Sequence, residues 1–261
     1  MNLTGSGSGN KIKKVKNNIY NKVFNLIYTA RNIDDEQTVF FGLSNLLWLI
    51  DSYQHNNNID TIICIGDSPS IILQMLKLLW EIKYKNRYNK KIKYLPISGL
   101  SSVKESILKN KLINLSDFFN KKERILWVDF VATGDSFINF YNNMPKKLKK
   151  NSFYFLYGRK LDGNNSQYYK KRNNLIIKLH KKKNLFYYGI DKTSLFRTFL
   201  SNIIGNSEFY DIRCIKYSII DENYKLNLFD KVPTKNTKNN KHCNLIAKAL
   251  LDFMFNNKYI Q

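Results

Sequence analysis

The chain has 261 residues, 43% of them hydrophobic and 14% aromatic, and carries 43 Lys and Arg against 20 Asp and Glu for a net charge of +23. That apolar content can bury a core, which excludes a wholly disordered chain, and no apolar run approaches the ~20 residues that a membrane span needs. Three cysteines, Cys64, Cys214 and Cys243, show no metal-ligand spacing and leave one over if two pair, which argues against a disulfide framework and for a reducing, cytoplasmic setting.

Residues 1–10, MNLTGSGSGN, lack the apolar stretch of a signal peptide and read as a flexible tail. Gly5, Gly7 and Gly9 approach a dinucleotide fingerprint, but Asn10 stands where its third glycine belongs and no strand precedes them. An N-terminal helical segment, 11–58, follows. It contains helix-like stretches at 11–31 and 36–55, the second with Phe40, Leu43, Leu46, Leu47 and Ile50 at helical spacing.

From 59 to 160 the pattern alternates. TIICI at 61–65 is short, β-branched and apolar on both faces, as a strand inside a parallel sheet is. A helix follows, with Pro69 in its first turn and Ile71, Ile72, Met75, Leu76 and Leu79 in one stripe. Residues 91–97 read as a strand, 98–110 as a loop and helix, and 124–130 as a second buried strand. A helix then starts near Asp135, and 152–158 reads as the next strand. Strands alternating with helices at this spacing predict an α/β fold: a parallel, twisted, Rossmann-like three-layer sheet with right-handed crossovers and helices on both faces.

Residues 161–261 read as a C-terminal extension of strands and helices within one compact unit. It has strands at 174–180 and 184–190, which suggest a hairpin, helices at 192–204 and 244–255, and a polar, aperiodic loop at 230–243. The basic clusters PKKLKK (145–150), YKKR (169–172) and HKKK (180–183) fall on separate candidate loops. The positive excess suits a polyanion. However, lysine, asparagine, isoleucine and tyrosine are abundant along the whole chain, and no arginine-rich helix or finger motif organises the clusters. Nucleic acid is therefore not the favoured partner, and no membrane is expected.

The triplet Gly-Asp-Ser occurs twice, at Gly66–Asp67–Ser68 and Gly134–Asp135–Ser136, each time after a predicted strand and before a predicted helix. Such turns lie at the carboxyl ends of strands, where open α/β sheets bind ligands. At the second turn, consecutive backbone N–H groups, the positive end of a helix and the hydroxyls of Thr133 and Ser136 suit a phosphate. Asp129 just before it suits a sugar hydroxyl or a metal-bound water.

The stretch ILWVDFVATGDS, 125–136, resembles the phosphoribosyl pyrophosphate motif of the type I phosphoribosyltransferase family. The resemblance covers roughly 61–158 and implies a phosphoribosyltransferase-like fold, with Mg2+ as cofactor and phosphoribosyl pyrophosphate or a related ribose phosphate as ligand. It implies that Asp129 orients the ribose and reaches the metal through water. Ala132, Thr133, Gly134, Asp135 and Ser136 would hold the 5′-phosphate, and Gly66, Asp67 and Ser68 would face the pyrophosphate. Arg159 and Lys160 are the candidate contacts to the acceptor or the phosphates. In such an enzyme phosphoribose passes to a nitrogenous base and pyrophosphate leaves; a homo-oligomer stays open.

Departures define the alternatives. Val128 stands where the family has its first acid, and Asp67 and Asp135 put carboxylates beside the phosphates. These changes fit a family member that binds without catalysing, as a regulator or sensor. A Gly-Asp-Ser esterase with Ser68 as nucleophile is disfavoured, because His242 follows KNNK and has no acid three positions earlier.

Overall fold

The structure is a computed structural model that describes residues 33–66, 68–84, 91–95, 97–98, 104–159, 167–190, 215–216, 226–230 and 240–260. The readings for 1–10, 11–31 and 192–204 lie outside these residues. Helix α1 (Ile33–Asn56) precedes strand β1 (Thr61–Ile65), helix α2 (Ser70–Tyr84) and strand β2 (Lys91–Leu95). Then come β3 (Ile97–Ser98), α3 (Glu105–Ser116), β4 (Ile125–Val131), α4 (Asp135–Asn143), α5 (Lys146–Lys150) and β5 (Ser152–Arg159). The described elements end with α6 (Gln167–Lys181), β6 (Leu185–Ile190), β7 (Ile215–Lys216) and α7 (Asn240–Asn256).

Five strands form one parallel sheet in the order β2-β1-β4-β5-β6. All five residues of β1 are buried, as are the first four of β4, so these central strands meet apolar layers on both faces. Ile62, Cys64, Leu126, Val128, Phe155 and Tyr157 pack with α1, α2 and α7. Ile63, Ile125, Trp127, Tyr154 and Leu156 face the other way, toward α3, α4, α5 and α6. The alternation along each strand supplies both cores from one sheet. The fold is therefore α/β, parallel and covered on both faces.

Local contacts fix the register. The Arg124 backbone N–H donates to the Asp60 carboxylate at 2.8 Å, and the Asp60 N–H donates to the Arg124 carbonyl at 2.9 Å. These bonds tie β1 to β4 at their amino ends and align Thr61 with Ile125 and Cys64 with Val128. On the first face, the Trp80 indole N–H donates to Asp51 at 2.8 Å and joins α2 to α1. Phe40 of α1 packs against Phe253 of α7, with ring centroids 4.7 Å apart. At the edge strand β2, Tyr94 and Phe229 exchange backbone hydrogen bonds and Lys93 pairs with Asp230 at 2.8 Å, so the segment 226–230 covers the sheet edge.

Two readings change. Residues 174–180 form part of helix α6 rather than a strand: Ile176 and Leu179 are buried while Ile177 and Lys178 face out, which is a helical and not an alternating pattern. Strand β6 therefore pairs parallel with β5 through that helix, and there is no hairpin. In addition, 240–243, expected in a loop, open helix α7.

The fully buried Trp127 donates its indole N–H to the Ser152 hydroxyl at 2.8 Å, and that hydroxyl donates to the Leu148 carbonyl at 2.8 Å. Replacing Ser152 with Ala orphans the indole and is expected to cost about 1–3 kcal/mol. In denaturant unfolding, Trp127→Phe should cost less in the Ser152→Ala background than in the native one. Additive effects would show that the hydroxyl does not support the indole.

Candidate functional site

The helix after β1 packs on one face of the sheet and the helix after β4 on the other, although the two strands are neighbours. A crevice opens between such diverging connections at the carboxyl edge of the sheet. Both Gly-Asp-Ser turns lie at this edge. Arg159 ends β5, the strand on the other side of β4, one residue beyond the Val131–Gly158 pair. Candidate residues from β1, β4 and β5 thus come to one edge; Asp67 and Lys160 are outside the described residues.

Asp129 is half-buried near the end of β4, opposite Leu156 of β5. The alternation of the strand puts it on the same face as Trp127, the face that carries α4. Val128 points to the opposite face and is fully buried in the core under α1 and α2. Val128 is thus a core position, where an ionised carboxylate would need a partner to repay its desolvation.

After Val131 the chain turns through Ala132 and Thr133 into Gly134, whose φ of +87° is left-handed. Glycine enters that region without the penalty a Cβ imposes. Gly134 is the N-cap of α4 and so offers no side-chain acceptor to the first turn. The Asp135 N–H approaches the Thr133 hydroxyl at 3.5 Å, the outer limit of a hydrogen bond. Asp135 is exposed, while Thr133 and Ser136 are half-buried beside the helix start. The first turn of α4 thus presents amides and hydroxyls at the positive end of a nine-residue helix.

The first turn is built differently. Gly66 also has a left-handed φ, +76°, and its N–H donates to the Leu95 carbonyl of β2 at 2.9 Å. Its own carbonyl accepts from the buried Cys64 thiol at 3.3 Å. This turn is therefore drawn toward β2. Ser68 is exposed in the turn before α2.

One residue at the site escaped the sequence reading. Arg172 of α6 is only 3% exposed, and its guanidinium Nη1 donates to the Ala132 carbonyl at 2.6 Å. Its Nε donates to the Asn173 side chain at 3.1 Å. Its methylenes lie directly beneath Gly134: a Cβ built there would meet the Arg172 Cγ at 2.6 Å. The guanidinium holds the loop from below and places a permanent positive charge beside it. Arg172, Ile176 and Leu179 share one buried helical face at spacings of four and three. In the sequence that face is masked, because the basic run 169–172 resembles a loop and 174–180 a strand.

No protein family, curated protein or solved structure matches the chain in comparisons of its sequence and fold. Among the described residues no three His, Cys, Asp or Glu side chains gather as a metal site, and no helix is long and apolar enough to cross a membrane.

Gly134→Ala should strain both the left-handed backbone and the contact with Arg172, with an expected loss of about 1–3 kcal/mol. Arg172→Met should lose a similar amount by removing the donor to the Ala132 carbonyl. Hydrogen exchange at 132–137 should speed up in both variants by more than exchange in β1; equal acceleration would show that the contact does not hold the loop.

Proposed function

We propose that the chain binds a ribose phosphate, with phosphoribosyl pyrophosphate the fullest form of the ligand, in the crevice between β1 and β4, on a phosphoribosyltransferase-like fold. The observation that carries this reading is the loop 132–136. It opens α4 without a side-chain N-cap at the point where the connections diverge, and a buried arginine lies beneath it. Helix amides and a nearby fixed cation together suit a dianionic phosphate. The likeness of 125–136 to the phosphoribosyl pyrophosphate motif adds the carboxylate that a ribose needs, since Asp129 lies on the face from which α4 starts.

In this reading the amides of α4, with Thr133 and Ser136, hold the 5′-phosphate, and Asp129 accepts hydrogen bonds from ribose hydroxyls. Arg172 keeps the loop in shape without touching the ligand. Gly66 and Ser68 face the pyrophosphate, and Arg159 at the end of β5 adds charge at the same edge. Magnesium fits this donor set as a companion of the ligand, since that ion is commonly held by one or two carboxylates plus substrate phosphates. Asp129 would hold it through water, and the ion would neutralise charge on the pyrophosphate.

The buried Val128 favours binding without transfer, because one carboxylate of the usual pair is replaced by a core side chain. Transfer would still be chemically simple. A base nitrogen bonds to the anomeric carbon as the carbon–oxygen bond to pyrophosphate breaks, the nitrogen's proton passes to solvent, and the developing oxocarbenium charge is met by the Asp129 carboxylate.

Calorimetry with ribose 5-phosphate, and with phosphoribosyl pyrophosphate plus Mg2+, is expected to show saturable binding of both. Asp129→Asn should weaken the pyrophosphate ligand by about tenfold, or about 1.4 kcal/mol. Ser136→Ala should weaken both ligands by about 1 kcal/mol. A pyrophosphate-release screen across purine and pyrimidine bases then separates the readings: release identifies a transferase, and binding without release a sensor. No heat with either ligand would end the proposal.

A further inference from the structure

The +23 charge is unevenly distributed. Residues 136–190 contain thirteen Lys or Arg and a single acid, Asp162, whereas the rest of the chain has 30 Lys or Arg and 19 acids. A codon bias toward lysine would enrich lysine everywhere but does not by itself remove acids, and these 55 residues keep only one; residues 1–33 and 82–104 lack acids as well but carry fewer basic residues. The fold then brings together two of the basic clusters. Helix α5 carries Lys146, Lys147, Lys149 and Lys150, and it precedes β5 at the amino-terminal edge of the sheet. Helix α6 ends at the same edge, before β6, with Lys178, Lys181, Lys182 and Lys183 exposed.

Lys149 of α5 is held against α4, with Lys178 of α6 and Lys182 just beyond that helix as its charged neighbours. Its ammonium lies 4.6 Å from the centre of the Tyr141 ring and donates to the Asn142 carbonyl at 3.1 Å. Partial burial, and then the like charges of Lys178 and Lys182, hold it below the ordinary lysine value. Neither α5 nor α6 carries an acid, and among the described residues the ion pair of these lysines is the exposed one of Lys147 with Asp117 at 3.9 Å, so an anion placed beside Lys149, Lys178 and Lys182 relieves repulsion among them. On α6, Lys171 and Lys178 lie seven residues apart on one exposed face, about 10 Å along the axis at 1.5 Å per residue, and the exposed Lys182 follows in the turn after the helix.

We propose that this surface, centred on Lys149, Lys178 and Lys182, binds the phosphate backbone of nucleic acid. A row of charges suits a polymer with regularly spaced phosphates, bound through counterion release and without base readout. A membrane-binding helix instead needs a broad apolar face, and among the described side chains of α6, 170–181, the exposed side offers one large apolar residue, Ile177, among its lysines. The surface is at the opposite edge of the sheet from the crevice, so the inference does not rest on the ribose-phosphate reading.

The test must separate this surface from the charge of the whole chain. Fluorescence anisotropy with a labelled 20-nucleotide single-stranded RNA would be measured from 50 to 300 mM salt. The triple variant Lys149→Gln, Lys178→Gln, Lys182→Gln is compared with Lys83→Gln, Lys109→Gln, Lys248→Gln, which removes the same charge from exposed positions on other helices. Thermal unfolding confirms that both are folded; if the first is not, Lys178→Gln, Lys182→Gln takes its place. The expected result is an affinity loss of tenfold or more and a salt slope shallower by about 2 for the first variant, each lost single-strand phosphate contact being worth about 0.7. The control should change by less than threefold. Equal losses in both variants, or no binding by the native chain at 50 mM salt, overturn the proposal. So does phosphatidylserine vesicle binding, in the absence of RNA binding, that depends on the same three lysines.

Discussion

The pairing of β1 with β4 governs the rest of the structure, because it joins two strands whose following helices must leave on opposite faces. Asp60 and Arg124 set that pairing from the amino ends, and every residue of β1 is closed over by apolar layers. A parallel strand in such a place cannot satisfy its backbone with water, so its neighbours must be strands and its side chains apolar. From this follow the two cores, the crossovers and the opening between diverging connections. The crevice is a consequence of topology before it is a property of any side chain.

What the side chains add is shape and charge. A left-handed Gly134 brings the backbone down onto Arg172, and the arginine repays its own burial by donating to the Ala132 carbonyl. Neither partner would be stable in this form alone: a buried guanidinium without acceptors is costly, and a short loop on a helix start readily shifts. Together they leave the first turn of α4 facing outward in a defined position. Val128 and Asp129 divide one strand between them, the first filling one core and the second half-buried on the opposite face near the end of β4.

The central strands were legible because their apolar runs are short, continuous and bounded by turn residues. The helices α1, α2 and α7 were legible because their stripes are long. The loop at 132–136 could be found from Asp129, Thr133, Gly134 and Ser136 alone, since each residue type has a local reason to be there. Residues 167–181 were not legible in this way. Their run of isoleucine, leucine and lysine fits a strand and a helix about equally over seven residues, and only the buried faces of Arg172, Ile176 and Leu179 decide between them. Both the arginine under the loop and the lysine surface at the far edge depend on α6, so neither shows in the sequence without that helix.

The hydrogen bond from Arg172 to Ala132 spans 40 positions of the chain. During synthesis the strand, the glycine and the first turn of α4 therefore emerge well before the residue that shapes them. The loop can take its final form only after β5 has paired with β4 and α6 has folded back across the sheet. Closing such a non-local contact carries a loop-closure cost that local helix formation does not. A nascent or truncated chain ending before α6 would hold every residue of the loop and still lack the arginine that shapes it.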